Sequence, residues 1–187
     1  MLRNIRALFR SNTDFEKWED ASRTWGALNP IRSECAASLI PDNTRVLDIG
    51  AGSMELKKHL KTHCTYVPSD IHDRGEGCIV ADLNNYEFPE GQYDWITLIG
   101  VLEYVKDIRW VLTRVHEAAS NVLVTYNTLE NNPNKWSRRK RGWMSHLGNK
   151  DLLKLFRDTG WDSVEKPVFD TKIYAEMHEW YILRADK

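Results

Sequence analysis

Asp48, Gly50, Gly52, Asp70 and Asp82 are the residues whose types and spacing point to chemistry. Gly50 and Gly52 follow the apolar run Val46-Leu47-Asp48-Ile49, and glycines directly after a strand let the backbone turn sharply and come close to a ligand. A dinucleotide-binding turn reads Gly-x-Gly-x-x-Gly, and its third glycine would fall where this chain has Glu55. Asp48 argues the same way, because a carboxylate at a strand end suits a ligand carrying an ammonium or hydroxyls and suits a pyrophosphate badly. Asp70 ends a second apolar run, Thr65-Tyr66-Val67-Pro68-Ser69, about twenty residues after the first glycine, where an acid that pairs with ribose hydroxyls is expected. These positions favour S-adenosylmethionine over a nicotinamide dinucleotide.

A third run, Cys78-Ile79-Val80-Ala81, ends in Asp82, and a fourth, Tyr93 to Gly100, leads into Leu102-Glu103-Tyr104-Val105. With the Val46 to Gly52 turn, the acid closing the second run and the Ala81-Asp82-Leu83-Asn84 step, residues 44–130 resemble the class I S-adenosylmethionine-dependent methyltransferases, in that family's order. The resemblance implies an α/β fold, Rossmann-like and doubly wound. Its sheet would be mostly parallel and seven-stranded, with an antiparallel last strand and N-terminal capping helices. S-adenosyl-L-methionine would be the cofactor and S-adenosyl-L-homocysteine the product. Asp48, Gly50 and Gly52 would line the methionine end, Asp70 would take the ribose hydroxyls, and Asp82 with Leu83 would meet the adenine. Ala51, Ile71 and Gly100 complete the implied cofactor contacts. The chain departs from the family in two places. Met54 stands where a third small residue is common, and Ile71 to Gly77 is too short for a crossover helix of ~10 residues. A loop is expected there, with His72 and Arg74 near the adenine edge.

The elements that must position these residues fit one domain over residues 1–187. Residues 1–43 read as a helical cap, 44–130 as the cofactor core, 127–147 as an acceptor loop, and 148–187 as a closing helix and strands. A hydrophobic content of 42% supplies a core, and no apolar run approaches the ~18 residues of a membrane span. Cys35, Cys64 and Cys78 lie far apart, which suggests neither a disulfide framework nor a zinc site, so a cytoplasmic location is the expectation and no metal site is predicted. Phe15, Trp18, Ala21, Ser22 and Trp25 share one helical face beginning at Asp14, and a second helix is expected over 31–40 after Asn29-Pro30. Trp25 would then help shape the acceptor pocket, or simply pack on the core. Residues 1–10 carry three arginines and no acid, which fits weak peripheral contact with an anionic membrane or a docked terminal helix.

The connection Asn127 to Leu147 leaves the carboxyl end of a fifth expected strand, Asn121 to Tyr126, the edge where open α/β sheets bind ligands. It carries five basic residues, Lys135 beside Trp136 and the other four between Trp136 and Trp143. Asn127, Arg138, Arg139, Arg141 and Trp143 are therefore candidates for an anionic acceptor, against the alternative of a solvated loop anchored by its tryptophans. His146 is the candidate base for a hydroxyl acceptor, or else a helix cap, and Glu103 and Tyr104 are candidates to orient the acceptor. The combined expectation is methyl transfer to a small or medium-sized acceptor, an anionic saccharide or lipid-linked glycan, with O-methylation favoured. An RNA methyltransferase and a catalytically silent cofactor-fold protein remain as alternatives, and the net charge of −1 gives no global pull toward nucleic acid.

Overall fold

The computed structural model describes residues 13–20, 29–169 and 178–186. Seven strands form one sheet: β1 (Arg45–Ile49), β2 (Thr65–Asp70), β3 (Ile79–Val80), β4 (Tyr93–Ile99), β5 (Ala119–Tyr126), β6 (Ser163–Glu165) and β7 (Glu179–Arg184). Their order is β3-β2-β1-β4-β5-β7-β6. The first five strands pair in parallel, and β7 runs antiparallel between β5 and β6. The chain reverses its direction of winding between β1 and β4, which opens a crevice beyond the carboxyl ends of those strands.

Among the described residues, six α-helices accompany the sheet: α1 (Phe15–Trp18), α2 (Asn29–Leu39), α3 (Glu55–His59), α4 (Ile108–Ala118), α5 (Lys135–Lys140) and α6 (Asn149–Asp158). Alternation along the strands divides the core into two layers. Leu47, Ile96 and Val122 pack with Ile108, Val111, Leu112 and Val115 of α4 and with Leu152 and Phe156 of α6. Val46, Trp95 and Leu123, one residue out of step, face Ala36 and Ala37 of α2. A parallel sheet covered on both faces needs such doubly buried strands. Among the described residues, no helix is long and apolar enough to cross a membrane.

Several local expectations change. The helix beginning after Asp14 lasts one turn, and α2 begins at Asn29-Pro30 itself, ahead of the expected start at residue 31. A proline in the first turn costs little, since the amide it lacks has no intrahelical partner there. The β2–β3 connection is a loop, as its length required. The long connection after β5 contains α5, whose first turn is capped by the Asn134 side chain accepting from the Ser137 amide at 3.0 Å. Residues 1–10, Ala21, Ser22 and Trp25, singled out in the sequence, lie outside the described residues.

Candidate active site

A cavity opens at the carboxyl ends of β1 to β4 and encloses about 1040 Å³ of empty space, solvent at its mouth included. The sheet side is formed by Gly50, Ala51, Gly52, Asp70, Ile71, Asp82, Leu83 and Gly100, so eight of the nine sequence-predicted cofactor residues converge there. The glycine turn explains the approach. Gly50 has φ +75°, and a Cβ on it would lie 2.6 Å from Val101 Cγ2. The amides of Gly50 and Ala51 both donate to the Ser69 carbonyl, at 2.8 and 3.0 Å, which ties the turn to β2. The Gly52 amide donates to Asp70 Oδ2 at 2.9 Å. Met54 holds φ +53°, a left-handed conformation that favours glycine, so the departure noted in the sequence is accommodated with strain just outside the cavity wall.

Asp48 is the ninth, and its placement is a correction. It does not line the cavity; it is buried in β1, where its carboxylate accepts from Thr97 Oγ1 at 2.6 Å and Tyr66 Oη at 2.7 Å. The cause is β1 itself, which is buried on both faces from Val46 onward and turns Asp48 into the protein. Burial pushes its carboxyl up to about 6, against the pull of the two hydroxyls.

Asp70 and Asp82 do face the cavity, and a short N-terminal strap crosses it to reach both. Asp70 Oδ1 accepts from the His72 amide at 3.2 Å and from Arg74 at 3.0 Å. Arg74 also donates to the carbonyls of Trp18 and Glu19, and His72 Nε2 bonds the Phe15 carbonyl at 2.8 Å. Thr13 Oγ1 donates to Asp82 Oδ1 at 2.7 Å. Further along, the Trp18 and Tyr104 rings meet edge to face at 4.8 Å, with Lys17 Nζ 4.1 and 4.7 Å from their centres. Lys17 donates to the Arg141 carbonyl at 2.6 Å, which joins the strap to the acceptor loop. Burial pushes the Tyr104 phenol above its ordinary range.

The acceptor loop is organised differently from its sequence reading. Arg138 points inward and is fully buried. Its guanidinium donates to the carbonyls of Asn127, Thr128 and Ser145 at 2.6, 3.1 and 3.3 Å, and Nε donates to His146 Nδ1 at 3.1 Å. Trp143 lies under it, 4.7 Å from ring centre to guanidinium carbon, and is itself buried. Asn127 is buried too, its amide donating to Glu103 Oε1 at 2.8 Å. Asn127, Arg138 and Trp143 therefore hold the loop together and do not line the cavity. The reason is that a connection of this length must satisfy its own carbonyls, and one inward guanidinium satisfies three. Arg139 and Arg141 remain exposed on the outside of the loop.

The catalytic candidates separate in the same way. Tyr104 lines the cavity, whereas Glu103 and His146 do not. Glu103 is buried, and burial raises its carboxyl above the usual range. Burial, with Arg138, Arg139 and Lys135 nearby, lowers the His146 imidazole. The sequence reading passed over Arg32, Thr13, Lys17 and Met144, all of which line the cavity. They come from the strap, α2 and the loop, and no motif marks them.

A family model described as a methyltransferase domain matches residues 17–166. No curated protein matches the chain. Among solved structures, a protein of Nostoc punctiforme PCC 73102 assigned as an O-methyltransferase is 12% identical with a TM-score of 0.71, over 97% of this chain and 66% of that one. Human N-acetylserotonin methyltransferase in complex with SAM is 13% identical with a TM-score of 0.64, over 98% of this chain and 57% of that one. The N-terminal domain of EvdMO1 with SAH bound is 14% identical with a TM-score of 0.62, over 98% of this chain and 95% of that one; its structure is also known in the presence of SAH and D-fucose. The chain thus spans about two thirds or less of the first two neighbours, whose fold it shares. The match over most of its length and the sheet described above establish that the chain belongs to the methyltransferase-domain family, of the class I, S-adenosylmethionine-dependent type that its sequence resembles.

Proposed function

We propose that the protein transfers the methyl group of S-adenosylmethionine to a hydroxyl of a small or medium-sized acceptor, an anionic saccharide or its lipid-linked form. The observation that carries the reading is the convergence of Gly50, Gly52, Asp70 and Asp82 on one cavity at the switch point of the sheet. The residues fit the cofactor. Asp70 offers a carboxylate to ribose hydroxyls, Asp82 can accept from an exocyclic amine, and the bare backbone of Gly50 and Gly52 leaves space between β1 and β4.

When bound, the cofactor would act as the methyl donor to the acceptor's oxygen, becoming the neutral thioether, with the hydroxyl proton passing to water. What the chain contributes is alignment. Trp18 and Tyr104 present aromatic surface for a sugar face, and Lys17 supplies positive charge beside them. The raised Tyr104 phenol stays protonated and serves as a hydrogen-bond donor to the acceptor. Among the described residues no histidine lines the cavity, and His146 stands outside its wall.

Calorimetry with S-adenosylhomocysteine tests the reading. Binding is expected, and Asp70→Ala should weaken it by roughly 10- to 100-fold, the value of hydrogen bonds to a charged group. Absence of binding to the unmodified protein at high micromolar ligand would sink the proposal and favour a silent protein. A radiolabelled methyl assay over acidic and neutral sugars then tests the acceptor. One arginine of the basic run, Arg138, is spent on internal carbonyls and so is lost to an RNA contact, while Arg139, Lys140 and Arg141 stay exposed.

A further inference from the structure

We propose that the outer face of α5 docks the protein on a bilayer bearing anionic lipids, beside the mouth of the cavity. Between Glu130 and Asp151 the chain carries six lysines and arginines and no acid, although its formal net charge is −1. The excess of acids therefore lies elsewhere, and the molecule's positive charge is concentrated on this segment. Helical spacing puts Lys135, Trp136, Arg139 and Lys140 on one face of α5, and all four are exposed there, while Arg138 on the inner side is buried. Arg141 follows and is exposed as well. Trp136 is 54% exposed, with Lys140 Nζ 3.3 Å from its ring centre. Among the described residues, none of Lys135, Arg139, Lys140 and Arg141 pairs with an acid, so no internal carboxylate competes for these cations.

A tryptophan set among lysine and arginine matches a bilayer interface, where the indole sits at headgroup level and the cations meet anionic headgroups. Nucleic acid fits the face less well. One side of the Trp136 ring is taken by the Lys140 ammonium, so a base cannot stack there, and none of the five side chains lines the cavity. The outside of a helix suits a flat, laterally mobile partner that need not match its shape. The face also ends at the site. Gly142 and Met144, directly after it, line the cavity, and the Arg141 carbonyl accepts from Lys17 of the strap. Docking thus brings the cavity mouth to the headgroups, where a lipid-linked acceptor of the proposed reaction would lie; the docking itself does not depend on that reaction.

Flotation of the full chain with vesicles tests the assignment, using phosphatidylcholine alone and equal parts phosphatidylcholine and phosphatidylserine. Binding to the anionic vesicles only is expected, weakening as salt rises. Arg139→Ser, Lys140→Ser and Arg141→Ser together should lower it roughly 100-fold, at about fivefold per cation. Trp136→Ala should lower it roughly 3- to 10-fold and should reduce the quenching of tryptophan fluorescence by brominated lipid. Thermal unfolding like the parent's shows that the variants are folded. Absence of binding to anionic vesicles would overturn the assignment, as would parent-like binding by the triple variant, the result expected if contact runs through residues 1–10. So would an RNA oligonucleotide that binds the parent through the same cations more tightly than the vesicles do. All three outcomes leave the methyl-transfer reading standing, since calorimetry with S-adenosylhomocysteine tests that reading without lipid.

Discussion

The glycine turn and the acceptor loop both sit at the carboxyl edge of the sheet, and both carried strong sequence signals, yet only one signal reads outward. In the turn the information lies in the backbone. Gly50 and Gly52 act by what they lack, and strand positions fix where Asp70 points. In the loop the information lies in long side chains, and the face of α5 on which each falls decides which of them meets solvent. Arg138 goes inward to satisfy three carbonyls, while its neighbour Arg139 stays outside. A charge run in a loop thus reports composition, and a glycine at a strand end reports geometry.

The largest expected effect breaks the loop. Arg138→Met should leave the carbonyls of Asn127, Thr128 and Ser145 without their donor in a buried site, at a cost of about 3–5 kcal/mol. Chemical denaturation measures this directly, and a loss under about 1 kcal/mol would mean that the guanidinium does not hold the loop. Gly50→Val breaks the other region. The left-handed backbone and the 2.6 Å approach to Val101 together should cost about 2–4 kcal/mol and abolish binding of S-adenosylhomocysteine. Normal binding by that variant would show that the turn does not approach the ligand.

The same division explains how much the sequence reveals. The apolar runs mark the strands, and eight of the nine residues expected to meet the cofactor come to one cavity, whereas the strand order rests on pairings distant in sequence. Asp48 is the exception: the acid ends no strand but sits inside one, and neighbours distant in sequence, Tyr66 and Thr97, decide its environment. The α1 strap and Arg32 are illegible for a different reason. Their placement depends on how the N-terminal segment crosses a cavity made by other elements, and no local periodicity encodes a crossing. His146 illustrates the limit at the level of one residue, since its Nδ1 is claimed by an arginine eight positions earlier.

Asp48 sharpens the comparison through pH. Its folded carboxyl is raised from 3.8 to about 6, so its stabilising protonated state is fully present below about pH 4 and is lost as pH rises through 6. The associated change is on the order of 2–3 kcal/mol. His178 opposes it. Burial, with Arg32 nearby, depresses that imidazole from 6.5 to about 4, so its contribution is complete above pH 6.5 and is lost as pH falls. The two effects offset one another in the unmodified protein between pH 4 and 6.5. In Asp48→Asn the histidine limb loses that opponent, and stability should rise more steeply, or fall less, with pH across that window than in the parent. Denaturation at several pH values checks this; parallel profiles for variant and parent would remove Asp48 as a titrating group.

The smallest expected effect separates the outside of the loop from its inside. Arg139→Ser, Lys140→Ser and Arg141→Ser together replace three consecutive cations that follow Arg138 and stay exposed. Their contacts are marginal for stability: Lys140 lies over the exposed Trp136 ring, and Arg141 meets the edge of the site chiefly through its backbone carbonyl, which the substitution keeps. The triple variant should therefore unfold within about 1 kcal/mol of the parent, against the several expected for Arg138→Met. Affinity for S-adenosylhomocysteine should be unchanged, because Asp70, Asp82 and the glycine turn lie on other elements. If an anionic acceptor passes over this surface, its Michaelis constant should rise in the triple variant, and the difference should shrink at high salt as screening weakens the parent's contact. An unchanged Michaelis constant at every ionic strength would confine acceptor recognition to the cavity wall formed by Lys17, Trp18 and Tyr104. In acceptor recognition the basic run would then serve only to keep one of its arginines at the centre of the loop.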